Sequence, residues 1–359
     1  MERNTVEIYD QGGLEWAATH ATAGRRVEAE AFADRVAPGE LRLDVGSGAG
    51  RYLPHLGHPV VAFDASVAML DACRKQFPGA VYVQGDVEHL PFSRGSIGGA
   101  WSWMTHLHIP RDRLPMALWD LHRVLTVGSP FEIQVLEGGY EGDDLPGDDV
   151  GGRFFAGWTP ERLTEVVIGA GFEVEPGSVS MSGDEVRLRS VRSRTLADTV
   201  GPGMRLLVCG VNPSPFSADA GVGYARPGNR FWPAALAAGV VDTDRDPAAA
   251  LVGHGMGMTD FLKRPTRTAA EVTAAEYRSG FERLEHLVEW LRPGAVCFTG
   301  LSGWRSVVDP KAVAGLQPTP IGGRPAYVMP STSGLNARTS LGELAAHLRR
   351  AWEIGGGSG

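Results

Sequence analysis

Leu41-Arg42-Leu43-Asp44-Val45-Gly46-Ser47-Gly48-Ala49-Gly50 decides the fold of the first half of this chain. Its first five residues read as a buried strand and its last five as a Gly-rich turn, with a helix-like segment over 51–56. A strand, such a turn and a helix start make a place where a nucleoside cofactor lies against backbone. The next strand, 60–63, ends in Asp64, where an acid can accept both ribose hydroxyls. A helix over 65–76 leads to a third strand, 80–84, and to Gly85-Asp86-Val87, where an acid can receive an adenine amino group. A strand-like run over 97–102 and a helix over 115–125 continue the alternation. Strand and helix alternating at this rate predict a parallel, doubly wound sheet. A tight strand-to-helix connection explains a lone Gly-rich turn as well as a cofactor does. The spacing Gly46-x-Gly48-x-Gly50 is tighter than G-x-G-x-x-G, which disfavours a dinucleotide dehydrogenase.

A second stretch, Val208-Cys209-Gly210-Val211-Asn212-Pro213-Ser214-Pro215, sets an amide just after an apolar strand, on a loop stiffened by two prolines. Its distant partner is Met329-Pro330-Ser331-Thr332-Ser333-Gly334-Leu335-Asn336-Ala337-Arg338, a small polar loop carrying one Leu and one Arg. An amide that holds a water, with a loop that pushes an apolar wedge into a base stack, is what base extrusion and N-glycosidic cleavage need. Alone, Asn212 before a proline reads as an Asx-turn. Strands are expected over 204–210, 295–300 and 326–330, and helices over 231–239, 274–291, 302–308 and 341–352. Asn229 is expected to cap the helix that holds Phe231 and Trp232.

These motifs carry two resemblances. Leu43–Gly50, Phe63-Asp64, Gly85–Phe92 and Leu121–Gly128, within roughly 30–190, resemble class I S-adenosylmethionine-dependent methyltransferases. That implies a Rossmann-like sheet with S-adenosylmethionine as cofactor: Asp44, Gly46, Ser47 and Gly48 toward its methionine part, Asp64 on the ribose, Asp86 and Val87 on the adenine. The methyl acceptor is not legible. Trp101-Ser102-Trp103-Met104-Thr105-His106-Leu107-His108 lacks the Pro-rich aromatic motif of amino-directed DNA methyltransferases and the Pro-Cys of cytosine C5 transfer. His106 and His108 read either as general bases or as packing.

Residues 203–350, with Gly221–Trp232 and Gly257–Thr266 between the two loops, resemble the mismatch-specific uracil/thymine DNA glycosylases. That implies a three-layer α/β/α fold acting on double-stranded DNA, with no cofactor and no metal. Asn212 would position the water that attacks the sugar. Gly210, Val211, Pro213, Ser214 and Tyr224 would form the base pocket, with Tyr224 stacking on the extruded base. Ser331, Gly334, Leu335, Asn336 and Arg338 would contact the DNA, and Lys263 and Arg264 would reach phosphates or face solvent. Ser214 stands where that family has Gly and would narrow the pocket; Ala337 is an additional residue. The expected fold class is therefore α/β in two domains, 1–192 and 203–352, with a linker near 192–203. The rival readings are a nucleobase, nucleoside or tRNA modification enzyme using both halves, and a non-catalytic DNA-binding module.

Composition agrees with this division. At 359 residues the chain exceeds one ordinary core. Residues 1–200 carry 18 Lys/Arg against 29 Asp/Glu, while 201–359 carry 16 against 13, so only the second part suits a phosphate backbone. No run of about 18 apolar residues predicts a membrane span, and Met1-Glu2-Arg3-Asn4 does not open a signal peptide. Cys73, Cys209 and Cys297 fit no zinc spacing and point to buried thiols in a reducing, cytoplasmic compartment. The acidic run over 137–152, with Glu141-Gly142-Asp143-Asp144, reads as a solvated loop, and Gly355-Gly356-Gly357-Ser358-Gly359 as a flexible tail.

Overall fold

Two helices that the periodicity had not revealed, α1 (Arg3–Thr19) and α2 (Arg26–Arg35), precede the Gly-rich strand. The computed structural model describes residues 1–19, 25–143, 145–268 and 271–357; Asp144 and Ser358-Gly359 lie outside these. The chain forms two units: Met1–Ile168 with Phe172–Ser193, and Gly169–Gly171 with Arg194–Gly359.

In the first unit, β1 (Arg42–Val45), β2 (Val60–Asp64), α3 (Val67–Gln76), β3 (Val81–Gln84), β4 (Gly99–Trp103), α4 (Leu114–Val124) and β5 (Pro130–Leu136) alternate as the pattern predicts. Two short strands, β6 (Glu141–Gly142) and β7 (Phe155–Ala156), pair with each other. α5 (Pro160–Gly169), β8 (Phe172–Val174), β9 (Ser180–Ser182) and β10 (Glu185–Arg192) complete the unit. The sheet runs β3-β2-β1-β4-β5-β10-β8, with β9 against β10. β1 to β5 are parallel and β10 returns antiparallel. All four residues of β1 and all seven of β5 are buried, as strands covered on both faces must be. Strand order reverses between β1 and β4, so a ligand crevice opens where the Gly-rich turn lies.

Two expectations need correction here. Residues 51–56 form successive turns, not a helix, with Leu53 and His55 N–H groups bonded back to the carbonyls of Gly50 and Tyr52. Pro54 lacks the N–H a helix would use there. The acidic loop is anchored: Asp148 pairs with Arg153 and both are buried, while Glu141 accepts the Arg111 N–H at 2.8 Å.

In the second unit, β11 (Leu206–Gly210), α6 (Pro215–Ala220), α7 (Phe231–Ala238), α8 (Pro247–His254), β12 (Met256–Asp260), α9 (Ala274–Leu291), β13 (Ala295–Thr299), α10 (Leu301–Val307), β14 (Gly315–Leu316), β15 (Ala326–Met329) and α11 (Leu341–Gly356) follow in order. The sheet runs β12-β11-β13-β15-β14, parallel except for β14. Alternate residues of each strand divide the core. Leu206, Val208, Cys297, Tyr327 and Met329 pack with α7 and α11. On the other face, Phe298 stacks on Phe261 and packs at a tilt against Trp304. β11 is the first strand and lies between β12 and β13, so the crevice opens beyond Gly210 and Thr299.

The stretch read as a linker and the Gly-rich tail both have structural parts. Asp198 is 3% exposed and bonded within the second unit, and Thr199 pairs with Met258. α11 continues to Gly356, and a side chain at Gly355 would meet the Arg205 carbonyl oxygen at 2.1 Å, so only glycine fits there. Among the described residues no helix is long and apolar enough to cross a membrane.

Candidate active sites

The Gly-rich turn folds onto the second strand. Gly46 and Ser47 N–H groups both donate to the Phe63 carbonyl, at 2.8 and 3.0 Å. Gly46 has φ +69°, and a Cβ there would sit 2.1 Å from Thr105 Oγ1, so the loop after β4 closes directly on the glycine. Asp64 Oδ2 accepts the Gly48 N–H at 2.8 Å and Oδ1 the Ser66 N–H at 2.9 Å. Burial nevertheless holds the Asp64 carboxyl above its usual range. The Ala65 N–H also bonds this carboxylate, which leaves part of its acceptor capacity for a ligand hydroxyl. Asp44 is wholly buried, its Oδ2 has no partner among the described residues, and burial pushes its pKa to about 8. The Ser47 hydroxyl is likewise buried without a partner among the described residues. Asp86 accepts the Glu88 N–H at 3.0 Å and the Met1 amino group at 2.9 Å; despite burial, those bonds hold its carboxyl below the usual range. Val87, next in the chain, is 3% exposed. Two carboxyls, Asp44 and Asp64, that meet no cation among the described residues, and two orphaned oxygens, fit a cationic, hydroxyl-bearing ligand such as S-adenosylmethionine.

The two histidines after β4 are held within the fold. His106 Nδ1 meets Ser102 Oγ at 2.6 Å, and burial takes its pKa down to about 3. His108 Nδ1 donates to the Phe154 carbonyl at 2.6 Å, so its Nε2 accepts from the Tyr9 hydroxyl at 3.1 Å. Burial takes His108 to about 4, and both rings are neutral.

In the second unit, the loops after β11 and β12 hold each other. Phe261, Leu262 and Thr266 N–H groups donate to the carbonyls of Gly210, Val211 and Pro213 at 3.0, 3.0 and 3.2 Å. This zipper fixes Asn212. Its Nδ2 lies 2.9 Å from the Arg264 carbonyl oxygen and 2.7 Å from Thr266 Oγ1. A carbonyl only accepts, and Thr266 donates its own proton to the Thr268 carbonyl at 2.8 Å. The amide orientation is therefore determined: NH₂ faces the protein, and Oδ1 has no partner among the described residues.

Gly210 ends β11 opposite Asp260. A Cβ at Gly210 would stand 2.2 Å from Asp260 Oδ1 and 3.1 Å from the Tyr224 hydroxyl, so both side chains lie over its bare backbone. Tyr224, at φ +58°, bonds Thr299 Oγ1 at 2.8 Å and stacks on Phe231 with ring centroids 4.3 Å apart. Ser214 has a structural part in the same loop. Its Oγ caps α6 through the Ser217 N–H at 3.2 Å.

The last loop is rigid at its base and apolar at its tip. Arg230 donates to the carbonyls of Asn336 and Thr339, both at 2.5 Å, and its own N–H bonds the Thr332 carbonyl at 2.9 Å. Asn336 Nδ2 donates to the Ser331 carbonyl at 2.8 Å, so that amide holds the loop. Ser331 Oγ accepts the Ser333 N–H at 3.3 Å. Gly334 packs on Gly228, whose carbonyl a Cβ would meet at 2.9 Å. Leu335 is 92% exposed. Arg338 is exposed, as are Arg226 and Arg267, and none of the three is ion-paired among the described residues.

Residues 43–132 match the family model for a methyltransferase domain, and residues 197–354 match that for the uracil DNA glycosylase superfamily. The chain carries a methyltransferase domain followed by a uracil DNA glycosylase superfamily domain. Solved structures similar to the methyltransferase domain include an S-adenosylmethionine-dependent methyltransferase from Thermotoga maritima, described as a possible histamine N-methyltransferase. It is 19% identical, covers 53% of this chain and 100% of its own, and has a TM-score of 0.41. Another is the Burkholderia thailandensis 1,6-didemethyltoxoflavin-N1-methyltransferase, at 20%, 52%, 85% and 0.41. A third, an S-adenosylmethionine-dependent methyltransferase from Mesorhizobium loti, gives 17%, 48%, 100% and 0.40.

Sequence reasoning missed three groups in the glycosylase-superfamily domain. Thr266 orients Asn212, and Thr299 and Asp260 line the crevice. β12 went unassigned because its glycine and polar residues weaken the apolar signal, although Gly255 and five following residues fit a strand after a helix cap. Of the two cations of that segment, one faces solvent and one does not. Lys263 is held against Asp198 and the Leu196 carbonyl, while Arg264 is exposed and pairs with Glu276 at 2.8 Å.

Proposed function

We propose that the glycosylase-superfamily domain hydrolyses the N-glycosidic bond of uracil, thymine or a damaged pyrimidine in mismatched double-stranded DNA, as in base excision repair. The observation that carries this reading is the fixed amide of Asn212. Its NH₂ is committed to Arg264 and Thr266, so Oδ1 stands ready to accept from a water and aim it at the sugar C1′. An amide orients that water beside a cationic sugar without itself competing as a nucleophile. Leu335, displayed on a loop pinned by Arg230, supplies the wedge that keeps the extruded base out of the stack. Arg338, Arg226 and Arg267 meet the phosphates. Tyr224, between Phe231 and the crevice, gives the base an aromatic wall.

The methyltransferase domain transfers a methyl group from S-adenosylmethionine, which supplies an electrophilic methyl on a sulfonium. Asp64 holds the ribose diol, Asp86 and Val87 the adenine edge, and Asp44 with Ser47 the ammonium end, while Gly46 and Gly48 let the backbone approach. Three buried thiols suit a reducing, cytoplasmic setting.

Single-turnover incubation with duplexes carrying G·U or G·T tests the glycosylase reading. Abasic sites are expected from wild type and not from Asn212→Ala, with DNA affinity retained. Absence of abasic sites from every duplex would turn the reading to nucleoside modification.

A further inference from the structure

We infer that Asp260, seated over Gly210 in the same crevice as Asn212, donates a proton to the base as the glycosidic bond breaks. This rests on the glycosylase reading and adds a second group to it. Three observations converge. First, the register pairs Asp260 with Gly210, two residues before Asn212, and the missing Cβ lets the carboxyl lie directly on the β11 backbone. Second, no described residue bonds or ion-pairs with that carboxyl. The cations that face it are engaged elsewhere: Lys263 with Asp198, and Arg283 with Asp198 at 2.8 Å and with the Asp260 carbonyl at 2.6 Å. Third, the other acidic hydrogen over Gly210, the Tyr224 phenol, is bonded to Thr299.

The surroundings set the protonation state. Burial is the chief cause that raises the Asp260 carboxyl to about 6; Lys263 and Arg283 pull it down, and Asp198 pushes it up. The Cys209 thiol and the Tyr224 phenol, which also face it, are themselves driven upward by burial and stay neutral. The acid form is therefore available in mildly acidic solution, where a buried carboxyl can hydrogen-bond a departing base.

The step balances. The C1′–N bond breaks with its electron pair going to the base, and the Asp260 proton follows onto the base. The water held by Asn212 bonds to C1′ and releases its proton to solvent. Asp260 regains a proton from solvent once the base has left.

A leaving group that is stable as an anion needs no acid, so the test compares 5-fluorouracil with uracil, each opposite guanine. Single-turnover rates are measured from pH 5 to pH 8 with wild type and Asp260→Asn. Wild-type uracil excision is expected to fall at least tenfold as the pH climbs through about 6, the 5-fluorouracil rate to change less than about threefold, and Asp260→Asn to give flat profiles with a loss on the order of 10²-fold confined to uracil at low pH. Asp260→Glu, which keeps the acid, restores the slope. A wild-type profile in Asp260→Asn, or an equal loss on both bases with the melting temperature unchanged, overturns the proposal. If wild type cleaves neither duplex, the glycosylase reading itself fails; if it cleaves both with flat profiles, only the role of Asp260 fails.

Discussion

Both domains end a central parallel strand at a glycine, at the point where strand order reverses, yet they arm the crevice in opposite ways. In the methyltransferase domain, among the described residues, no cation is bonded to Asp44 or Asp64, and Asp86 meets only the Met1 amino group. In the glycosylase-superfamily domain two cations stand near the crevice, but Asp198 binds both. What remains there is a neutral amide and one acid. The difference teaches that a site's charge is set by which groups are already engaged, not by which residue types are nearby. Net charge along the sequence carries only a faint trace of this.

The comparison breaks most visibly at Asn212. Replacing it with Ala is expected to lower single-turnover excision by on the order of 10²–10⁴-fold, with S-adenosylhomocysteine binding unchanged by calorimetry. The pH dependence of stability sharpens the other side. The folded-state pKa of Asp44, about 8, lies above its unfolded value, so its contribution is complete below about pH 4 and is lost as the pH climbs to about 8. Each pH unit in that window costs about 1.4 kcal/mol at most. Asp44→Asn, titrated beside wild type by thermal melting without ligand, should gain relative stability from pH 5 to pH 8; parallel curves would contradict a neutral buried Asp44.

Asp64→Ala should weaken S-adenosylhomocysteine binding about 10- to 100-fold, the range for hydrogen bonds to a charged group, and leave excision intact. Leu335→Ala should leave the melting temperature unchanged, because that side chain is 92% exposed, while excision from duplex DNA falls roughly tenfold and excision from single strands does not. Thr266→Val removes one hydrogen bond to Asn212, about 1 kcal/mol, and should slow excision roughly fivefold without changing duplex affinity.

Much of the fold was legible because strands covered on both faces write themselves as apolar runs. Leu43–Val45, Leu206–Cys209 and Ala295–Phe298 are of that kind, and α9 matches its expected span because an amphipathic stripe and a Thr273–Glu276 capping box mark it. α1 was illegible: Arg3–Thr19 has glycines and no sharp apolar stripe, and side chains of the rest of the unit hold it, such as His108 on Tyr9. Asn212 and Leu335 were visible as residue types in a pattern. What oriented them was not. Arg264, Thr266 and Arg230 act through contacts 52, 54 and 106 residues away along the chain, and local pattern holds no record of such pairings. Lys263 shows the converse: a lysine in a polar loop reads as exposed until Asp198 claims it.

The most direct test of the account is single-turnover formation of abasic sites in a G·U duplex by wild type and Asn212→Ala, with duplex affinity measured on the same samples. The account predicts cleavage by wild type, its loss in Asn212→Ala, and equal affinity for the two. Cleavage by Asn212→Ala at the wild-type rate would contradict it.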